Sequence, residues 1–112
     1  MKKLWPALSL LLLSAVALAD VKPLPQSQWP HTVAEAVPSI LALLTPTQQS
    51  IISNTARENL FWLQGEWGDD IEQLLGLNSG NTALREAACG HPCPVDQATL
   101  KLMEASWEAL KP

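Results

Sequence analysis

No stretch of this chain alternates apolar and polar residues in the two-residue rhythm of a half-buried strand, so a fold built on a β-sheet is excluded. Nor is there a comfortable membrane span. The apolar run from Leu8 to Leu18 falls short of the roughly 20 residues needed and gives way to Asp20, Lys22 and two prolines. Positive charge is scarce, with 7 Lys and Arg against 11 Asp and Glu. An acidic surface repels phosphate backbones and anionic lipid, which argues against nucleic acid and peripheral membrane partners. The chain has two histidines, neither beside the acids, and lacks a phosphate-binding loop, a nucleophile spaced with a base and a complete metal-ligand set. It therefore presents no catalytic constellation and calls for no cofactor.

What is present begins with export. Lys2 and Lys3, the short apolar run and Ala17-Leu18-Ala19 together read as a secretory signal peptide over residues 1–19, cleaved after Ala19. Asp20 stands where a lipid-anchored protein would have cysteine, so the expected product is exported, periplasmic or secreted, without membrane insertion. Cleavage leaves 93 of the 112 residues, with 5 basic and 11 acidic side chains and a net charge of −6. That length suits one small domain with a single core.

Residues 20–31, DVKPLPQSQWPH, hold three prolines and no periodicity, which predicts an extended arm. Trp29, directly before the first helix, is expected to pack back onto the domain as a staple. A helical domain over 32–112 follows. Thr32 and Glu35 have capping-box spacing, and Val33, Val37, Ile40, Leu41 and Leu44 give the first helix an apolar face, with a kink or restart expected at Pro38. Thr45-Pro46-Thr47-Gln48 starts a second, short helix to about Ser53. Thr55-Ala56-Arg57-Glu58 repeats the pattern and launches a long third helix, whose stripe is Leu60, Leu63, Trp67, Ile71 and Leu74, widened by Phe61 and Leu75. Its stop is Gly76 or the turn Asn78-Ser79-Gly80-Asn81. Thr82 to Cys89 makes two further turns, with Leu84, Ala87 and Ala88 for packing. Asp96 is expected to cap a last helix with a stripe at Leu100, Met103, Trp107 and Leu110 and Lys111 near its negative end. The expected fold is all-α, a small single-domain bundle of four main helices plus one short one.

Cys89-Gly90-His91-Pro92-Cys93 admits three chemistries. In an exported protein, two cysteines this close form a disulfide most simply, and the chain-entropy estimate of about 2 kcal/mol makes it a pin on one turn. A thiol-disulfide oxidoreductase is the enzymatic alternative, since the spacing is one residue longer than that of thioredoxin-type motifs. Against it, Cys89 lies at a helix end, where a thiolate is disfavoured, and no βαβ pattern surrounds the pair. Cys89, His91 and Cys93 as metal ligands would lack a fourth partner.

Glu66, Asp69 and Asp70 share one helix face. Paired carboxylates bind cations or do acid–base work only with a cleft and further ligands; otherwise they form a solvated face opposite Trp67 and Ile71. Trp62 lies on the flank of the stripe, where an exposed indole would serve as a contact anchor. These four residues are the candidate interaction positions.

Ile71-Glu72-Gln73-Leu74-Leu75-Gly76-Leu77-Asn78-Ser79-Gly80-Asn81 resembles the signature Ile-Arg-Asn-x-Phe-Gly-Leu-Trp-x-Gly-Asn of a small uncharacterised bacterial helical domain-of-unknown-function family. Ile71, Gly76, Leu77, Gly80 and Asn81 match; Glu72, Gln73, Leu75 and Asn78 stand where Arg, Asn, Phe and Trp would be. The resemblance runs from about Thr32 to Lys111 and implies an all-α fold without a known activity. The functional expectation is a non-enzymatic exported module that binds another envelope protein.

Overall fold

A computed structural model of the chain describes residues 21–112. The expected signal peptide and its cleavage point lie outside the described residues. Within them the protein is all helical, with five α-helices and no strand. Helix α1 is Val33–Ala42 and α2 is Pro46–Ser53. A continuous run then winds as 3₁₀ over Arg57–Leu63, as π over Gln64–Gly68 and as helix α3 over Asp69–Leu75. Helices α4, Thr82–Cys89, and α5, Val95–Ala109, complete the chain.

The first two starts are chemical. Thr32 accepts from the Glu35 N–H at 3.1 Å, while Glu35 reaches the amide of His31 rather than that of Thr32. Thr45 and Gln48 form the full reciprocal capping box, with Pro46 following. Helix α1 runs through Pro38 without the expected restart. The third expected start does not form: Ala56, with no side-chain cap, begins the 3₁₀ stretch, and the Thr55 hydroxyl donates to the Ile51 carbonyl instead. Thr55 closes α2 because the previous turn offers it an acceptor at 2.8 Å. Asp96 likewise sits inside α5, not before it; Pro94 is the capping residue.

Helix α5 is the central packing element, against α1, α4 and the π-wound stretch. Its buried face is Ala98, Thr99, Leu102, Met103 and Ser106; Leu100, Trp107 and Leu110 are only half-buried at its edge. The expected stripe counted large apolar residues, whereas small ones let neighbouring backbones approach. Gly68 shows the same effect, since a Cβ there would stand 3.3 Å from the Thr99 methyl carbon and 3.4 Å from the Met103 sulfur. Gln64 Nε2 donates to the Asp96 carbonyl at 2.8 Å, tying the π-wound stretch to the start of α5.

The central stripe is buried at Leu60, Trp67, Ile71, Leu74 and Leu75, with Leu63 half-buried, but Phe61 is exposed. A 3₁₀ helix turns about 120° per residue, so the first turn departs from the face that α-helical counting assigns. Ala87 is also exposed, leaving Leu84 and half-buried Ala88 as the packing residues of α4.

The arm is docked and contains one 3₁₀ turn, Gln26–Gln28. Leu24 N–H donates to the Leu74 carbonyl at 3.0 Å, and Val21 and Leu24 pack on the core. Trp29 packs against Gly76, which ends α3 at φ 70° with Leu77 N–H returning to the Glu72 carbonyl. Asn81, 2% exposed, ties the parts together: its Nδ2 donates to the carbonyls of Pro30 and Leu75, and its Oδ1 accepts from Leu84 N–H as the N-cap of α4.

Candidate functional site

The central run ends its 3₁₀ stretch with Leu60 turned into the core and the next two side chains turned out. Trp62 is 72% exposed and Phe61 46%, with their ring centroids 4.4 Å apart. Burying such rings is worth several times the thermal energy, so an exposed neighbouring pair is an unspent apolar surface. Trp107, by contrast, is half-buried; its Nε1 donates to the Thr55 carbonyl at 2.8 Å and Lys111 Nζ stands 3.9 Å over its ring.

Just after the aromatic pair, Leu63, Glu66, Trp67 and Asp70 form one side of a cleft of about 280 Å³. The turn after α1 and helix α2 form the other, through Leu43, Leu44, Gln48, Ile51 and Ile52. Ile51 is 58% exposed. Two adjacent isoleucines cannot share one helical face, and that signal in the sequence could have pointed to an apolar surface on α2. Trp67 is only 5% exposed, and its indole Nε1 has no hydrogen-bond partner.

The three acids are all exposed, but they do not act as one set. Glu66 and Asp70 line the apolar cleft; Asp69 lines a separate shallow depression with Glu72, Gln73, Asn78 and Ser79. Partial burial, and then the charges of Asp69 and Glu66, push the Asp70 carboxyl above its ordinary 3.8. Among the described residues the ion pairs are Arg57–Glu104 and Lys101–Glu104, and neither involves these acids. No group of three His, Cys, Asp or Glu among the described residues is arranged to hold a metal.

Cys89 and Cys93 are bonded to each other, which removes them as metal ligands; His91 Nδ1 lies 2.8 Å from the Pro92 carbonyl. Cys89 is the last residue of α4, and the bond bridges the turn into α5. At Ile71 to Asn81, Gly76 and Gly80 take positive φ while Ile71, Leu77 and Asn81 are buried, so these five positions make the turn and its packing. Glu72 Oε1 accepts from Asn78 Nδ2 at 2.9 Å, and its Oε2 from the Thr99 hydroxyl. Among the described residues no helix is long and apolar enough to cross a membrane. No protein-family model matches this chain, and neither a curated protein nor a solved structure matches it.

Proposed function

We propose that this chain is an exported, non-enzymatic helical module that binds another protein of the cell envelope, with Trp62 and Phe61 as its contact surface. The observation that carries the reading is the exposure of Trp62 beside Phe61 in a domain that buries its other described tryptophans at least in part. Tryptophan is the residue type most often found to dominate a protein–protein contact when it leaves water. The disulfide supports export, because such bonds persist in oxidising compartments. Cys89 sits at the negative end of α4, where a thiolate is disfavoured, so the pair is read as a structural pin and not as a redox centre.

The test is recovery of a stoichiometric partner from envelope extract by the native chain and by Trp62→Ala. The expected result is a partner held by the native chain and lost by the variant. Equal recovery by both, or none by the native chain at any salt concentration, overturns the proposal.

A further inference from the structure

We propose that the cleft between α2 and the π-wound stretch receives a cationic, apolar segment of the partner protein, an aliphatic side chain entering it and an adjoining Lys or Arg meeting Glu66 and Asp70. The inference rests on the protein-binding reading and supplies the partner's chemistry. The interior of the cleft is aliphatic, from Leu43, Leu44, Ile51, Ile52 and Leu63. Its polar edge is negative, with Gln48 the uncharged exception. No described cation pairs with Glu66 or Asp70, and Asp70 already carries the unfavourable field of its acidic neighbours. A positive group entering here relieves that field, whereas an anion or a neutral apolar chain does not.

Two further observations point to a ligand. Trp67 lines the cleft and is almost wholly buried, and no protein atom among the described residues accepts from its indole N–H, a buried donor that gains from meeting an acceptor. Glu66 and Trp67 are also both carried by the π-wound stretch, a winding that recurs at functional sites because it re-aims side chains from the face that α-helical spacing would give them. Size favours a docked segment over a small cofactor. About 280 Å³ lies at the lower edge of small-molecule pockets, which run from about 300 to 1,000 Å³. The space suits one or two side chains of a docked segment.

The probe is a capped synthetic peptide in which leucines alternate with lysines, titrated calorimetrically into the native chain; the control peptide carries glutamate at each lysine position. The lysine peptide should bind with an affinity that falls as salt is raised, and the glutamate peptide should not bind. Glu66→Gln combined with Asp70→Asn, both at exposed positions, should weaken binding about fivefold, the weight of two solvent-screened ion pairs. Ile51→Ser should weaken it as well, and unchanged helical circular dichroism would show that each variant folds. Equal binding of both peptides, no binding of either, or indifference to the two carboxylate substitutions overturns the assignment. So does a concentration-dependent dimer that Ile51→Ser dissolves, because the cleft would then belong to a second copy. If Trp62→Ala abolishes recovery of the envelope partner while the carboxylate variant retains it in full, the contact surface stands and the cleft assignment alone falls.

Discussion

The indole of Trp29 occupies the space where a side chain at position 76 would begin. A Cβ built on Gly76 would overlap Cε2 and Cζ2 of that ring and stand 2.7 Å from its Nε1, and Gly76 has φ 70°. Two separate costs therefore meet in Gly76→Ala: the left-handed backbone, about 1–2 kcal/mol for a residue with a Cβ, and displacement of the ring. The variant should lose about 2–4 kcal/mol in urea unfolding. Trp29→Ala in the same chain should recover the steric part and leave the backbone part. Simple additivity of the two changes would mean that the ring and the glycine do not touch in solution.

Asn81 is the second fastening of the arm, and its three bonds serve three different elements. Asn81→Ala removes the N-cap of α4 and strips a partner from the buried carbonyls of Pro30 and Leu75. The expected loss is about 2–3 kcal/mol, above the roughly 1 kcal/mol of an ordinary cap. Hydrogen exchange should show the amide of Leu24 and the start of α4 losing protection together. Loss confined to α4 would detach the arm from this scheme.

Trp67 and Trp62 lie in one continuous helical run, yet the first is buried and the second is open to solvent. Trp67→Ala should cost about 3–5 kcal/mol, a large share of a small domain's stability. Trp62→Ala should change it by less than about 0.5 kcal/mol. Chemical unfolding of the two variants checks the pair, and comparable losses would contradict the exposure of Trp62.

Local chemistry made much of the fold legible. The caps at Thr32 and Thr45 and the stop at Gly76 depend on neighbours within a few residues, so spacing was enough to find them. Thr55 had the same spacing and failed, because its hydroxyl found an acceptor in the turn behind it. The π-wound stretch had no local signal. It lies where Gly68 admits α5 closely, and that is a tertiary fact. The face of α5 was missed for a related reason, since Ala98 and Ser106 are buried for their small size and a count of large apolar residues passes over them. In the candidate site, Trp62 and the acids could be named from spacing alone. The cleft could not, because five of its nine lining residues, Leu43, Leu44, Gln48, Ile51 and Ile52, come from α2 and the turn before it.

The Cys89–Cys93 bond closes a short loop, so its removal should be mild. Cys89→Ser with Cys93→Ser should lower stability by about 2 kcal/mol and leave helical content intact, since the bond joins only the end of α4 to the approach to α5. Each single-cysteine variant should trap no envelope protein as a mixed disulfide. A trapped species stable to denaturant and released by reductant would move the pair from structure to redox chemistry.

Asp70 gives the domain a dependence on pH whose sign follows from its surroundings. Partial burial first, then Asp69 and Glu66, raise its carboxyl above the ordinary 3.8, so the folded chain holds this proton more tightly than the unfolded one. Between 3.8 and the raised value, unfolding releases a proton, and stability falls as pH rises through that window. Above it the charged carboxylate is a standing cost; well below it the group is neutral in both states and the cost vanishes. Asp70→Asn should therefore stabilise the chain near neutral pH, by less than about 1 kcal/mol because the side chain is exposed and solvent screens it. The gain should shrink to nothing in acid below 3.8. Added salt should remove the part due to Asp69 and Glu66 and leave the part due to burial, since screening acts on charges and not on desolvation. Thermal unfolding of the native chain and of the Asp70→Asn variant across pH, in low and high salt, measures all three effects. A variant less stable than the native chain at neutral pH would mean that the carboxylate already holds a favourable contact in the free protein, and the cleft would then have no unmet charge to offer a cation.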